Sequence, residues 1–373
     1  MADLTYAALV PAAGLSSRIE DFKPLLEIGG QTLIERVVNL FKTARVHEVV
    51  VVVGHRGDEI IPVLEGTPCR VVINPDYRGE MFTSVQVGAR ELRGRCDAFF
   101  VLPVDIPLVR PLTVRRLMER FRDRSALVCH PLSGSRRGHP PLMDSRLIDD
   151  LLTWQGTGGL KTFLDSYADH SVDVPVADAW FRRDVDTDED LATLRREFER
   201  YTIPTPEECE VLLNHYLEVP EAVQAHSRAV AGVATRLGVA LNAAGEDLDL
   251  DLLTAAGLLH DSFKGEKDHA GKAAAWLEGN GFPEIATIVA DHMDLPWMEG
   301  DLVDEKALLY LADRIVEEER IVTLAERKAG ALRKYGADET VRQNIEARFE
   351  AAAKIQSAVE KITGRSLDNI LSG

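Results

Sequence analysis

The sequence predicts an α/β protein with a doubly wound, mostly parallel sheet, followed by an all-α half. Two observations predict this. Up to about residue 187, short β-rich runs alternate with amphipathic stretches, the pattern of crossover connections and of a sheet covered on both faces. Beyond about residue 203 the strand signals stop and only helical periodicity continues. At ~100–200 residues per domain, the 373 residues suit two domains, placed at residues 1–200 and 205–373.

Taken in order, the strands are expected at residues 7–11, 48–53, 70–73, 98–102, 126–129 and 171–174, with helices at 32–43 and 83–92 among them. Such sheets bind ligands at the carboxyl ends of their strands, so residues that carry chemistry belong just after them. A charged helix at 189–201 leads into Thr202-Ile-Pro-Thr-Pro206, whose two prolines read as a linker. Helices are then expected at 206–217, 219–241, 248–259, 269–280, 283–292, 304–334 and 338–363. Thr205 before Pro206-Glu-Glu supplies an N-cap and an acidic first turn. The last two stretches mix apolar and charged positions; they either pack on the helical core or form a homodimer seam.

Acidic residues outnumber basic ones, 61 to 43, for a net charge of −18. That balance argues against nucleic acid and anionic membranes as partners, both of which need basic surface. It leaves room for phosphorylated small molecules, because a local cation reverses the field inside a cleft. Cys69, Cys96, Cys129 and Cys209 show no paired spacing, which suits a reducing, cytoplasmic setting. Residues 1–13 lack a basic leader and read as a strand, not a signal peptide. No apolar run reaches the ~18 residues of a membrane helix.

The first chemical constellation is Ala8-Leu-Val-Pro-Ala-Ala-Gly-Leu-Ser-Ser-Arg18, continuing to Lys23-Pro-Leu-Leu26. A strand runs into a loop of small residues, Ala12, Ala13, Gly14 and Ser16, whose backbone N–H groups can approach a triphosphate closely. Arg18 and Lys23 add positive charge where phosphate oxygens would lie. Gly14 alone would read as an ordinary turn. The longer string, followed in order by Val53-Gly54-His55, Asn74-Pro-Asp-Tyr-Arg-Gly79, Leu102-Pro-Val-Asp105-Ile-Pro107, Arg137-Gly-His-Pro140 and Asp184-Val-Asp186-Thr-Asp-Glu-Asp190, resembles the sugar-nucleotidyltransferase-like superfamily. Within it, the sequence is most similar to the molybdenum-cofactor nucleotidyltransferase branch, over about the first 195 residues.

The resemblance implies a Rossmann-like sheet, an NTP held by the first loop with Gly54 and Asn74, and Mg²⁺ held by Asp105 with Asp184 or Asp186. Asp105, Arg18 and Lys23 become the catalytic residues of nucleotidyl transfer, in which an acceptor phosphate attacks the α-phosphorus and pyrophosphate leaves. Aligning two polyanions and neutralising their charge is the main task of such a site. On its own, the acidic run at 184–190 would read as a solvated loop. In the family an Ala-Ala-Gly loop goes with CTP, and the implied acceptor is a molybdopterin, with a sugar or polyol phosphate as the alternative. Two departures concern the acceptor side: Glu20 where a glycine is usual, and Gly156-Thr-Gly-Gly159-Leu-Lys161 in place of an Asp-rich segment.

The helical half carries His226, then Leu258-Leu-His260-Asp261, Lys264, His269, His292 and Asp313. Imidazoles and carboxylates arriving from separate helices form a ligand set for Fe, Mn, Co, Ni or Zn. A lone buried histidine more often satisfies a hydrogen bond, so the ordered series carries the reading. That series resembles the HD superfamily of metal-dependent phosphohydrolases over residues 205–335, with His226, His260, Asp261 and Asp313 as the signature. His269 and His292 are similar to the extra ligands of two-ion members, and Lys264 is placed to meet a phosphate oxygen. Ser262-Phe263 stands where the family often has Ile-Gly. His130 and His170 are expected to be structural or surface residues. The expectation is a bifunctional enzyme; the alternative is an HD domain that senses a nucleotide or metal and regulates the transferase.

Overall fold

The computed structural model describes residues 4–15, 19 and 21–372. The positions read as phosphate-binding at Ser16 and Arg18 lie outside the described residues. The chain divides into two compact units, Met1–Tyr201 and Thr202–Gly373.

In the first unit the central sheet runs in the order Ser171–Pro175, Val128–Ser133, Leu142–Asp144, Ala98–Val101, Tyr6–Ala12, Glu48–Val53, Arg70–Ile73, with the short Arg136–Arg137 strand paired to Val128–Ser133. Tyr6–Ala12 is parallel to both neighbours, and Leu9 stands opposite Val50 and Val101. All seven of its residues are buried, as expected when helices cover both faces. The alternation sorts them: Ala8, Val10 and Ala12 join Val37, Val38 and Phe41 on one face, while Ala7 and Leu9 join Val85, Ala89 and Phe99 on the other. Thr32 and Glu35 close a capping box that starts the Leu33–Thr43 helix, an arrangement that stabilises a helix by about 1 kcal/mol.

The sheet holds two strands that were not expected, the short Arg136–Arg137 and Leu142–Asp144. Leu142–Asp144 lies antiparallel between Ala98–Val101 and Val128–Ser133. Its three residues are all buried, so neither alternation nor length marked it as a strand. The 126–129 strand is also displaced, to Val128–Ser133.

The second unit is helical, with Glu221–Ala243 packed against Leu250–Leu259 and Glu305–Ile315. Close approach of the first pair requires Gly257, where a Cβ would stand 2.6 Å from Ala231 Cα. The stretch at 206–217 begins as the Pro206–Val211 helix and ends in a wider π turn, Leu212–Tyr216. The expected single helix at 304–334 is instead two, Glu305–Ile315 and Leu324–Tyr335. Between them a hairpin pairs Val316–Glu317 with Arg320–Ile321. Residues 318–321 are exposed and bury nothing along a helical face, while Thr323 with Glu326 forms a capping box that starts a new helix. The Glu339–Thr363 helix packs on the unit's own core through Phe349, Ala352, Ile355 and Val359. Among the described residues no helix is long and apolar enough to cross a membrane.

Candidate functional sites

Tyr6–Ala12 and Ala98–Val101 are parallel neighbours, so the loops that follow them open at the same edge of the sheet. Hydrogen bonds from Leu102 N to Leu9 O (3.0 Å) and Val104 N to Pro11 O (3.4 Å) extend the ladder and set Asp105 beside the first loop. Val185 N donates to Asp105 O at 2.8 Å, which brings the 184–190 segment to the same place. Lys23, in the short turn Lys23–Leu25, lies with Nζ 2.8 Å from Asp186 Oδ1 and 3.8 Å from Asp105 Oδ2. Burial pushes the Asp105 carboxyl up, Lys23 pulls it down, and Asp186 and Asp184 push it up again. Lys23 is thus shared between Asp105 and Asp186, and Asp184 adds its negative charge nearby.

The rest of the first loop is built around this point. Ala12 and Ala13 are buried, and none of the described residues comes within 4 Å of where a Cβ on Gly14 would stand. Gly54 is obligatory, since a Cβ would stand 2.4 Å from Tyr77 Cβ and 2.9 Å from Ala13 Cβ. Asn74, 1% exposed, spends its amide on Thr83 and Ser84 hydroxyls at 3.0 Å and accepts from Asp76 N. Its side chain thus holds the 74–79 loop to the Met81–Leu92 helix and is committed internally. Asp190, in the same acidic run as Asp186, caps the Asp188–Glu197 helix with Thr187.

Next to the acids opens a cleft of about 620 Å³. Met81, Phe82, Leu160 and Leu164 line it with apolar surface, and Arg137, Lys161, Arg182 and Asp184 with charge. His130 and His139 also line it. Burial, reinforced by Arg137, pushes His130 down to about 4, and burial lowers His139 as well. Arg137-Gly-His139 and Asp184 belong to the ordered series of the sequence, and Leu160 and Lys161 to the segment at 156–161; the others carry no motif. They reach one cleft because the antiparallel 142–144 strand turns the chain back past 130.

In the helical unit, His226, His260 and Asp261 form one group whose donor atoms lie within 4.8 Å of one another, and Asp261, His269 and His292 form a second. Among the described residues these are the groups of three or more side chains so placed. Asp261 Oδ2 lies 3.7 Å from His226 Nε2 and 3.4 Å from His260 Nε2, and Oδ1 lies 3.5 Å from His269 Nε2 and 3.8 Å from His292 Nε2. Asp313 Oδ1 completes the first side, 3.2 Å from His226 Nε2 and 3.8 Å from His260 Nε2. Lys264 pairs with Asp261 from the solvent side.

Backbone carbonyls orient the rings. Nδ1 of His226, His260 and His292 donates to Glu318 O, Gly257 O and Val289 O at 2.7–2.8 Å. A carbonyl only accepts, so the proton sits on Nδ1 and the Nε2 lone pair faces the centre. Nε2 of His260 and His292 is buried with no hydrogen-bond partner. Lone pairs and carboxylates converging without a cation are costly, and a divalent transition metal relieves that. The same crowding shows in the acidities. Burial would lower His260, but Asp261 and Asp313 outweigh it and raise it to about 10, so a proton and a metal ion compete for its Nε2. Asp261 and Asp313 lie well below the usual carboxylate range: burial opposes this, and the charge of His260, hydrogen bonds from the histidines around them and, for Asp313, the neighbouring Arg314 outweigh it. Arg314 escaped the sequence reading: it pairs with Asp313 and donates to His292 O and Met293 O, at 3.3 and 2.8 Å, tying the two sides together. An arginine after Asp313 in an otherwise buried helix was its one signal.

A mostly parallel sheet with a Lys–Asp cluster at its strand ends, in a chain that also holds a helical unit with a His/Asp centre, defines an enzyme. A model described as MobA-like NTP transferase domain matches residues 8–172, and one described as HD domain matches residues 223–330. The chain therefore belongs to the MobA-like NTP transferases in its N-terminal part and carries an HD domain behind it. It is 42% identical over 127 residues to the bifunctional IPC transferase and DIPP synthase of Rubrobacter xylanophilus, covering 32% of this chain and 28% of that protein. It is 29% identical over 122 residues to the bifunctional protein GlmU of Syntrophomonas wolfei, of which it spans 27%. The nicotine blue oxidoreductase of Paenarthrobacter nicotinovorans is 30% identical over 160 residues, covering 41% of this chain and 78% of that one. Among solved structures, a nucleotidyl transferase from Methanothermobacter aligns with TM-score 0.47 and 26% identity over 52% of this chain and 98% of that one. The chain thus spans just over a quarter of the first two curated relatives.

Proposed function

We propose that the first unit transfers CMP from CTP to a phosphorylated acceptor, with molybdopterin as the leading candidate, and that the second hydrolyses a phosphoester. The carrying observation is Lys23 held between Asp105 and Asp186 at the strand ends. In the reaction an acceptor phosphate oxygen forms a bond to the α-phosphorus, the bond to the β-phosphate oxygen breaks, and pyrophosphate departs with the electron pair. Lys23 neutralises charge at that point while Asp186 fixes its direction. Asp105 with Asp184 or Asp186 would hold Mg²⁺, which when bound draws the phosphate groups together and screens their charge.

In the second unit His226, His260, Asp261 and Asp313 would hold one ion and Asp261, His269 and His292 a second. Ions there supply Lewis acidity towards a phosphoryl group and towards water. Lys264, half exposed at the rim, is positioned to meet a phosphate oxygen.

Pyrophosphate release with each NTP, against molybdopterin and polyol phosphates, tests the transfer. Asp105→Ala should lower it at least a hundredfold and leave phosphoester hydrolysis intact, and His260→Ala should do the reverse. No pyrophosphate from any NTP and acceptor pair would defeat the transfer reading. Metal uptake without hydrolysis of any nucleotide would turn the second unit into a sensor. A polyol-phosphate acceptor is the second reading, favoured by the 42% identity to the IPC transferase relative.

A further inference from the structure

Lys23 sits on a turn of only three residues, Lys23–Leu25, and the residue before it sets where that turn lies. Phe22 is 5% exposed and joins the core with Leu26 and Ile28. Its carbonyl accepts from Leu25 N at 3.0 Å, so the ring and the turn move as one piece. Arg56 lays its guanidinium over the Phe22 ring, 4.5 Å from the centroid. The His55 ring meets Phe22 edge to face, with centroids 6.0 Å apart and the planes at 85°. The same His55 ring lies 6.0 Å from that of Tyr77, within the range in which aromatic rings attract. Through its backbone N–H, His55 also donates to Ala13 O at 3.4 Å. It therefore joins the loops at 12–15, 22–25 and 74–79. Its contacts with the last two are ring on ring, so a phenyl group of similar size can replace them.

We propose, resting on the transferase reading, that His55 is a positioning residue of the transfer. By its contacts with Phe22 and Tyr77 it holds the Lys23 turn at the strand ends and keeps Nζ beside Asp105 and Asp186. Without the ring, Phe22 loses a wall, the turn gains freedom, and fewer molecules hold Lys23 in place. A charge displaced by about 1 Å can lose roughly a hundredfold in rate. The loss falls on the chemical step, because Lys23 neutralises charge that develops in the transition state.

Two measurements on the full chain test this. Hydrogen exchange read by mass spectrometry should speed up about tenfold in the peptides spanning 21–28 and 74–80 in His55→Ala, and stay unchanged in His55→Phe. Pyrophosphate release is followed with Mg–CTP and molybdopterin or ribitol 5-phosphate, whichever turns over in the unmodified protein. In His55→Ala kcat should fall about tenfold or more while KM for CTP stays within about threefold, and His55→Phe should recover most of the rate. Unchanged exchange at 21–28 overturns the proposal. So does a rise in KM with kcat intact, which would make His55 a nucleotide contact. A His55→Phe variant as slow as His55→Ala overturns it as well. If His55→Ala fails to fold, His55→Leu, which keeps apolar bulk and removes the ring, takes its place in both measurements. Failure of the transferase reading looks different: the unmodified protein releases no pyrophosphate, and the exchange comparison alone then decides whether His55 holds the turn.

Discussion

At the scale of single residues, space and charge make checkable demands. Gly54→Ala drives a methyl against Tyr77 and Ala13, where backbone on both sides resists movement. It should cost about 1–3 kcal/mol in denaturant unfolding and weaken CTP binding. His130 titrates near 4 instead of 6.5 because burial and Arg137 oppose its charge. Above about pH 6.5 folded and unfolded chains are both neutral there and nothing is lost. As pH falls towards 4 the unfolded chain takes up a proton that the folded one refuses. Stability then drops by up to roughly 3 kcal/mol. His130→Phe should flatten that acid slope of the thermal midpoint; an unchanged slope would rule the histidine out as its source. Residues with chemistry-bearing neighbours in sequence, such as His260-Asp261 or Lys23-Pro, were legible because the types themselves are scarce and ordered. His130 and Arg182 were not, since nothing local marks two distant side chains that line one cleft only because of the fold.

Among the elements, capping and burial decide what is readable. The Leu33–Thr43 helix was visible because Thr32 and Glu35 signal its start and six of its eleven residues face the core. The turn between Glu305–Ile315 and Leu324–Tyr335 was hidden by charged residues that suit helix and hairpin alike. Its centre, Glu318, has φ of 56°, which glycine adopts without strain. Glu318→Gly should therefore be neutral or stabilise by up to about 1 kcal/mol, with metal content preserved, because the Glu318 carbonyl and not its side chain orients His226. Glu318→Val should do the opposite on both counts, read by thermal unfolding and metal analysis. Metal loss in Glu318→Gly would mean the carboxylate itself is needed.

For the whole molecule, two compact units, each with its own cluster of charged side chains, imply separable responses. A saturating divalent transition metal, at about 100 times its Kd, should raise the stability of the helical unit by about 2.7 kcal/mol. The α/β unit's transition should stay in place in the same calorimetric scan, and a chelator should undo the gain. If both transitions move together, the units are energetically coupled. Strand signals stop near residue 203, and the two compact units divide between Tyr201 and Thr202, whereas the contents of the cleft required the fold. The shared position of Asp261, with one oxygen towards each group of histidines, carries a consequence for inheritance. Drift at His269 or His292 would erode one half of the centre by degrees and leave a lineage something to repair. Drift at Asp261 dismantles both halves in a single step, so descendants of this domain that abandon its chemistry should show their earliest scar there.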